Sequence, residues 1–144
     1  MRKNVYKIWS EESQADFDKL PIKWAFTNEK FKEIMQEWGL SENDTDKICN
    51  IGCGGIMRKS DLALLTEHTK KFDLENKKQD KRFFVDMLLY ELNNHEYGYT
   101  RDLEDTLFAC QISAKDLQDE KIVEWINEAL QIWKYLNGYD EYSD

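Results

Sequence analysis

The chain has 144 residues, 41% of them hydrophobic, and carries a net charge of −9. That length and apolar content suit one domain with a true core, residues 1–144, and exclude a disordered chain. No apolar run reaches the roughly 20 residues of a membrane span, and no hydrophobic segment follows Met1-Arg2-Lys3 to make a signal peptide, so no membrane contact and a cytoplasmic location are expected. The charge is uneven: residues 101–144 hold eleven acids and four bases. Such a field repels phosphates and excludes direct nucleic-acid binding through this part.

In chain order, Ser10-Glu11-Glu12-Ser13 has the form of a helix start, with a capping hydroxyl and acids in the first turn. Pro21, the single proline, ends that segment, and Ile22–Phe26 alternates as a short strand. Thr27 caps a helix striped by Phe31, Ile34, Met35 and Trp38, which Gly39 stops. After a polar stretch over 41–46, two short strands, 47–51 and 55–58, flank a glycine turn and form a hairpin. Ser60 caps a helix with Leu62, Leu65, Thr69 and Phe72 on one face, and its charged continuation to Asp80 reads as solvated. Asp80 opens the most apolar helix, Phe83 to Leu92, apolar around most of its circumference and therefore central. Thr100 or Asp102 caps a short helix to Cys110, and Ser113 starts a turn. Ile122, Ile126, Ala129, Leu130 and Trp133 stripe a final helix that Gly138 stops, and the acidic tail from Tyr139 frays. The class is α+β, helix-dominated, with a small antiparallel sheet near residues 22–58.

Several segments occur together in order: Trp24-Ala25-Phe26-Thr27, the glycine hairpin leading into Arg58-Lys59-Ser60-Asp61, Tyr90-Glu91-Leu92-Asn93-Asn94-His95-Glu96-Tyr97, and Glu104-Asp105-Thr106-Leu107. This order resembles a family of small uncharacterised proteins from Firmicutes and their phages, over residues 22–118. The resemblance implies a phage or mobile-element origin and brings no reaction, cofactor or catalytic residue.

Three places carry chemistry. Gly52, Gly54 and Gly55 precede Arg58, Lys59 and Ser60, and they form either an anion-binding nest or a tight hairpin with solvated cations. The nucleotide fingerprint fails, because Cys53 and Arg58 stand where its glycines belong. Glu91 lies four residues before His95, a spacing that lets a carboxylate orient an imidazole for base catalysis or simply tie down a helix end. The acidic C-terminal part, with Asp116, Asp119, Glu120 and Glu124 and with Trp125, Tyr135, Tyr139 and Tyr142 read as exposed aromatics, offers a docking face for a basic surface. Cys49, Cys53 and Cys110 are an odd set, read as reduced buried thiols rather than as zinc ligands with His68 and His95, so neither metal nor cofactor is expected. The expected function is a non-enzymatic acidic interaction protein that inhibits a host nucleic-acid-handling or defence factor. The alternative is a small anion-binding or hydrolytic enzyme using Gly52–Ser60 with Glu91 and His95.

Overall fold

A computed structural model describes residues 2–139; the rest of the acidic tail, with Tyr142, lies outside the described residues. The fold is α+β and helix-dominated, with one three-stranded antiparallel sheet. Two compact units make it up: Ser13–Phe72, and the residues up to Glu12 together with those from Asp73 onward.

The first helix, α1 (Val5–Phe17), starts five residues before the expected Ser10. Asn4 supplies the cap instead, its Oδ1 accepting from the Lys7 amide at 2.9 Å. Ser10 to Ser13 therefore sit inside a helix, where their caplike pattern has no end to act on.

The discontinuous unit is built on α5 (Lys81–Asn94) and α8 (Glu120–Leu136). Asp80 caps α5 through a bond from the Phe83 amide at 3.0 Å. Phe83, Phe84, Met87 and Leu88 of α5 form one buried cluster with Tyr6, Cys110, Ile112, Ile126 and Ala129. A second cluster joins Leu92, Tyr97 and Trp133. Between α5 and α8 the chain makes two short helices, α6 (Tyr97–Thr100) and α7 (Glu104–Ala109). The Asp102 side chain accepts from the Glu104 amide at 2.9 Å, and Thr100 accepts from the Asp102 amide. Leu103, without a side-chain capping bond, takes the cap position of α7, so neither expected residue is the cap and both instead close the turn before it. The stretch read as solvated contains a further turn of helix, α4 (Leu74–Lys77), and Lys78 behind it is 4% exposed. Its ammonium donates to the Gln111 carbonyl at 2.7 Å and pairs with Glu75 at 2.9 Å. Burial with satisfied bonds overrides the polarity of the local sequence.

The Ser13–Phe72 unit holds the sheet, in the order β1 (Lys23–Trp24), β3 (Gly55–Arg58), β2 (Ile48–Gly52). Thr27 caps α2 (Asn28–Glu37), accepting from the Lys30 amide at 3.1 Å, and Gly39 follows at φ +71°. Ile34, Met35, Ile56 and Met57 are the buried apolar side chains here. A 3₁₀ turn over Lys59–Asp61 separates β3 from α3 (Leu62–Lys71), so Ser60 does not cap that helix. On α3, Leu62 and Leu65 are half-buried as expected, as is Phe72 just past its end, but His68 rather than Thr69 takes the position between them.

Leu88→Ala should destabilise the protein by about 2–5 kcal/mol, because Leu88 is 1% exposed within the main cluster and truncation leaves a cavity. Urea unfolding reads the loss; a deficit under about 1 kcal/mol would place the core elsewhere.

Candidate functional site

The hairpin turn forms because Cys53 and Gly54 both have positive φ, 53° and 83°, the pattern of a type I′ turn. Ile51 bulges between the paired residues Asn50 and Gly52, and the Asn50 side chain accepts from the Gly52 amide at 2.8 Å. Gly55 has no positive φ; a side chain is excluded there because a Cβ would approach the Trp24 ring at 2.9 Å and the Ile51 side chain at 3.0 Å. Trp24 and Phe26 stack with their planes 11° apart, and Phe26 covers Gly54.

Arg58, Lys59 and Ser60 stand at the other end of β3. An extended strand of this length separates its ends by about 10 Å, so the turn glycines and the two cations do not make one nest. Arg58 is also engaged: its Nε donates to Asp61 at 2.9 Å and its guanidinium lies over the Trp38 ring. With Lys59, Ser60, Leu40, Asp46 and Lys47 it lines a separate cleft of about 350 Å³.

Glu91 and His95 do meet, Oε2 to Nε2 at 3.0 Å. Two further groups converge on the same carboxylate. The Tyr6 hydroxyl donates to Oε1 at 3.2 Å and the Asn94 amide donates to it at 3.4 Å. Glu91 and Tyr6 are each 8% exposed. Burial, reinforced by Glu91, pushes the Cys110 thiol up to about 12, so no thiolate nucleophile stands beside this pair at neutral pH. Burial first and Glu91 second also hold the Tyr6 phenol above its ordinary 10.0. The sequence reading named Glu91 and His95 and missed Tyr6, which lies 85 residues away along the chain.

The acidic face divides by task. Asp116 exchanges bonds with Ser113, accepting from its amide at 2.9 Å while donating its own amide to the Ser113 hydroxyl. The bond from the Ser113 amide, with the Ser113 side chain adding to it, holds the Asp116 carboxyl below its ordinary 3.8. Asp119 caps α8 by accepting from the Lys121 amide at 2.9 Å. Glu120 and Glu124 are exposed and make no ion pair among the described residues. Of the aromatics expected on this face, Tyr135 is 82% exposed. Trp125 instead packs on Phe84, and Tyr139 stacks on Trp133 beneath the Arg101 guanidinium. Packing of this kind buries the large apolar area of both rings.

Cys53 is exposed, Cys49 half-buried and Cys110 buried, so only Cys110 shows the expected burial. Among the described residues no group of three His, Cys, Asp or Glu could hold a metal ion, and no helix is long and apolar enough to cross a membrane.

Residues 5–132 match the model of DUF7659, a family of unknown function, and the chain belongs to that family. The match is wider than the 22–118 span of the short motifs. No curated protein and no solved structure matches the chain.

The Tyr6–Glu91 bond and the Cys110 thiol give a signed pH dependence. Both groups keep their protons in the fold, whereas the unfolded chain releases them near 9.0 and 10.0. Their contribution is complete below pH 9.0 and lost as pH rises through the alkaline range. Tyr6→Phe should cost about 1–3 kcal/mol at neutral pH and should reduce the further loss at alkaline pH. Urea midpoints of both proteins across that range decide; an unchanged alkaline slope would remove Tyr6 as the titrating group.

Proposed function

We propose that this protein is a non-enzymatic binding protein that docks a basic macromolecular surface through the outer face of α8 and the turn before it. The observation that carries this reading is an exposed apolar strip with an acidic rim. Leu117 and Val123, each 39% exposed, line a cleft of about 350 Å³ with Gln118, Glu120, Glu124 and Asn127. Glu124, Asn127, Gln131 and Tyr135 continue the exposed face at helical spacing, while Ile126, Ala129 and Trp133 face inward. Apolar contact surrounded by unpaired carboxylates suits a partner whose basic side chains flank an apolar patch.

A host nucleic-acid-handling or defence factor is the partner class with such a surface, since its groove is built to neutralise phosphates. Carboxylates spaced along a helix present that groove with a comparable negative field. The hydrolytic alternative has less support, because the Glu91–His95 pair lacks an ionised nucleophile and Glu91 is itself buried.

The two kinds of acid separate in experiment. Glu120→Gln with Glu124→Gln should leave the urea midpoint nearly unchanged and slow association severalfold at low salt. Asp116→Ala or Asp119→Ala should lower stability, because each removes a local cap worth about 1 kcal/mol. With a partner captured from host lysate, surface plasmon resonance at two ionic strengths gives the rates. Steering acts over a Debye length of about 8 Å at physiological salt; an association rate indifferent both to salt and to the double substitution would exclude this face.

A further inference from the structure

The two histidines each meet a carboxylate, and the His68–Asp16 pair lines a cleft. His68 Nδ1 and Asp16 Oδ2 stand 2.8 Å apart, joining α3 to the end of α1 within the Ser13–Phe72 unit. The Phe17 ring meets the imidazole edge-on at 5.6 Å and Phe72 lies against it at 5.1 Å. An ionised carboxylate only accepts, so Nδ1 carries the proton of this bond. The other ring nitrogen, Nε2, has no hydrogen-bond partner among the described residues.

The cleft measures about 300 Å³ and is lined by Asp16, Lys19, Leu20, Leu64, Glu67, His68 and Lys71. Neither Lys19 nor Lys71 makes an ion pair among the described residues. Their field is felt inside the cleft: the Asp16 carboxyl is held below its ordinary 3.8, chiefly by the His68 bond and further by Lys71 and Lys19. Asp16 is occupied by His68, which leaves Glu67 as the one acid opposing the two ammonium groups.

We propose that this cleft binds a small tetrahedral oxyanion, a phosphate or phosphomonoester, through His68, Lys19 and Lys71. Three nitrogen donors match three terminal oxygens, and with the imidazole protonated its charge and those of the two ammonium groups outnumber the Asp16 and Glu67 carboxylates, so the cleft favours an anion. Leu20 and Leu64 form the wall against which an ester's organic group rests. Asp16 acts as a positioning residue, holding the imidazole so that Nε2 is the nitrogen left for the ligand.

The test is a titration of the full chain with inorganic phosphate and, separately, phenyl phosphate, followed by NMR of the histidine ring protons near pH 6.5, the ordinary imidazole value of about 6.5. His68→Gln assigns the two histidines. The His68 resonance should shift saturably while His95 stays still, and the His68 titration midpoint should rise in the presence of phosphate, because the bound dianion favours the charged ring. Lys19→Gln with Lys71→Gln, both at exposed positions, should weaken binding about tenfold without unfolding the protein. Glu67→Gln should tighten it. Tighter binding of phenyl phosphate assigns the site to esters, and equal affinity assigns it to free phosphate. No saturable His68 shift, parallel movement of His95, or an affinity unchanged by the double lysine substitution would overturn the proposal.

Discussion

The unit that carries the proposed docking face depends on two carboxylates buried on its most apolar helix. Asp86 is 2% exposed and Glu91 is 8% exposed, both on α5. A charge in such a place costs several kcal/mol unless its oxygens are satisfied. The partners of Asp86 come from the first few residues of the chain, and Glu91 takes one of its three from there, beside Asn94 and His95. Arg2 pairs with Asp86, the Val5 amide donates to it at 2.8 Å, and Tyr6 donates to Glu91. Asn4 adds a bond to the Asp86 carbonyl and at the same time caps α1. The start of α1 is therefore fixed where it is by the polar needs of a helix some eighty residues later, which also explains why a capping pattern at Ser10 goes unused.

In the Ser13–Phe72 unit the corresponding constraint is the turn between β2 and β3. A type I′ turn requires positive φ at both central positions, and here a cysteine accepts one of them. Gly55 serves a different need, the close approach of the Trp24 ring. One cluster of glycines in sequence thus answers two separate steric demands. The strand that follows then carries Arg58 away from the turn, which is why nearness along the chain did not become nearness in a site.

The acids of the C-terminal part show how one composition supports folding and recognition together. Asp116 and Asp119 close a turn and cap a helix, Glu128 pairs with Lys81 at 2.8 Å, and Glu120 with Glu124 is left facing outward. Net charge describes the long-range field correctly, but only the carboxylates without local partners are available to a contact. The oxyanion cleft shows the same division in reverse, with Asp16 engaged by His68 and Lys19 and Lys71 without an ion pair among the described residues.

What the sequence determined by itself was everything set by neighbours a few residues apart. Thr27 and Asp80 mark their helix starts, the apolar density of Phe83–Leu92 marks the central helix, the hairpin follows from its glycines, and the α+β class follows from these together. Glu91 and His95 were legible as a pair because an α-helix places residues four apart on one face. Tertiary structure alone decided what lies across long separations. Tyr6 reaching Glu91, Lys78 buried under Gln111, Trp125 turned onto Phe84, and Asp16 meeting His68 over 52 positions leave no local periodicity to read. Each is the outcome of a burial or hydrogen-bond demand made by a distant segment, and such a demand exists only once that segment has been packed.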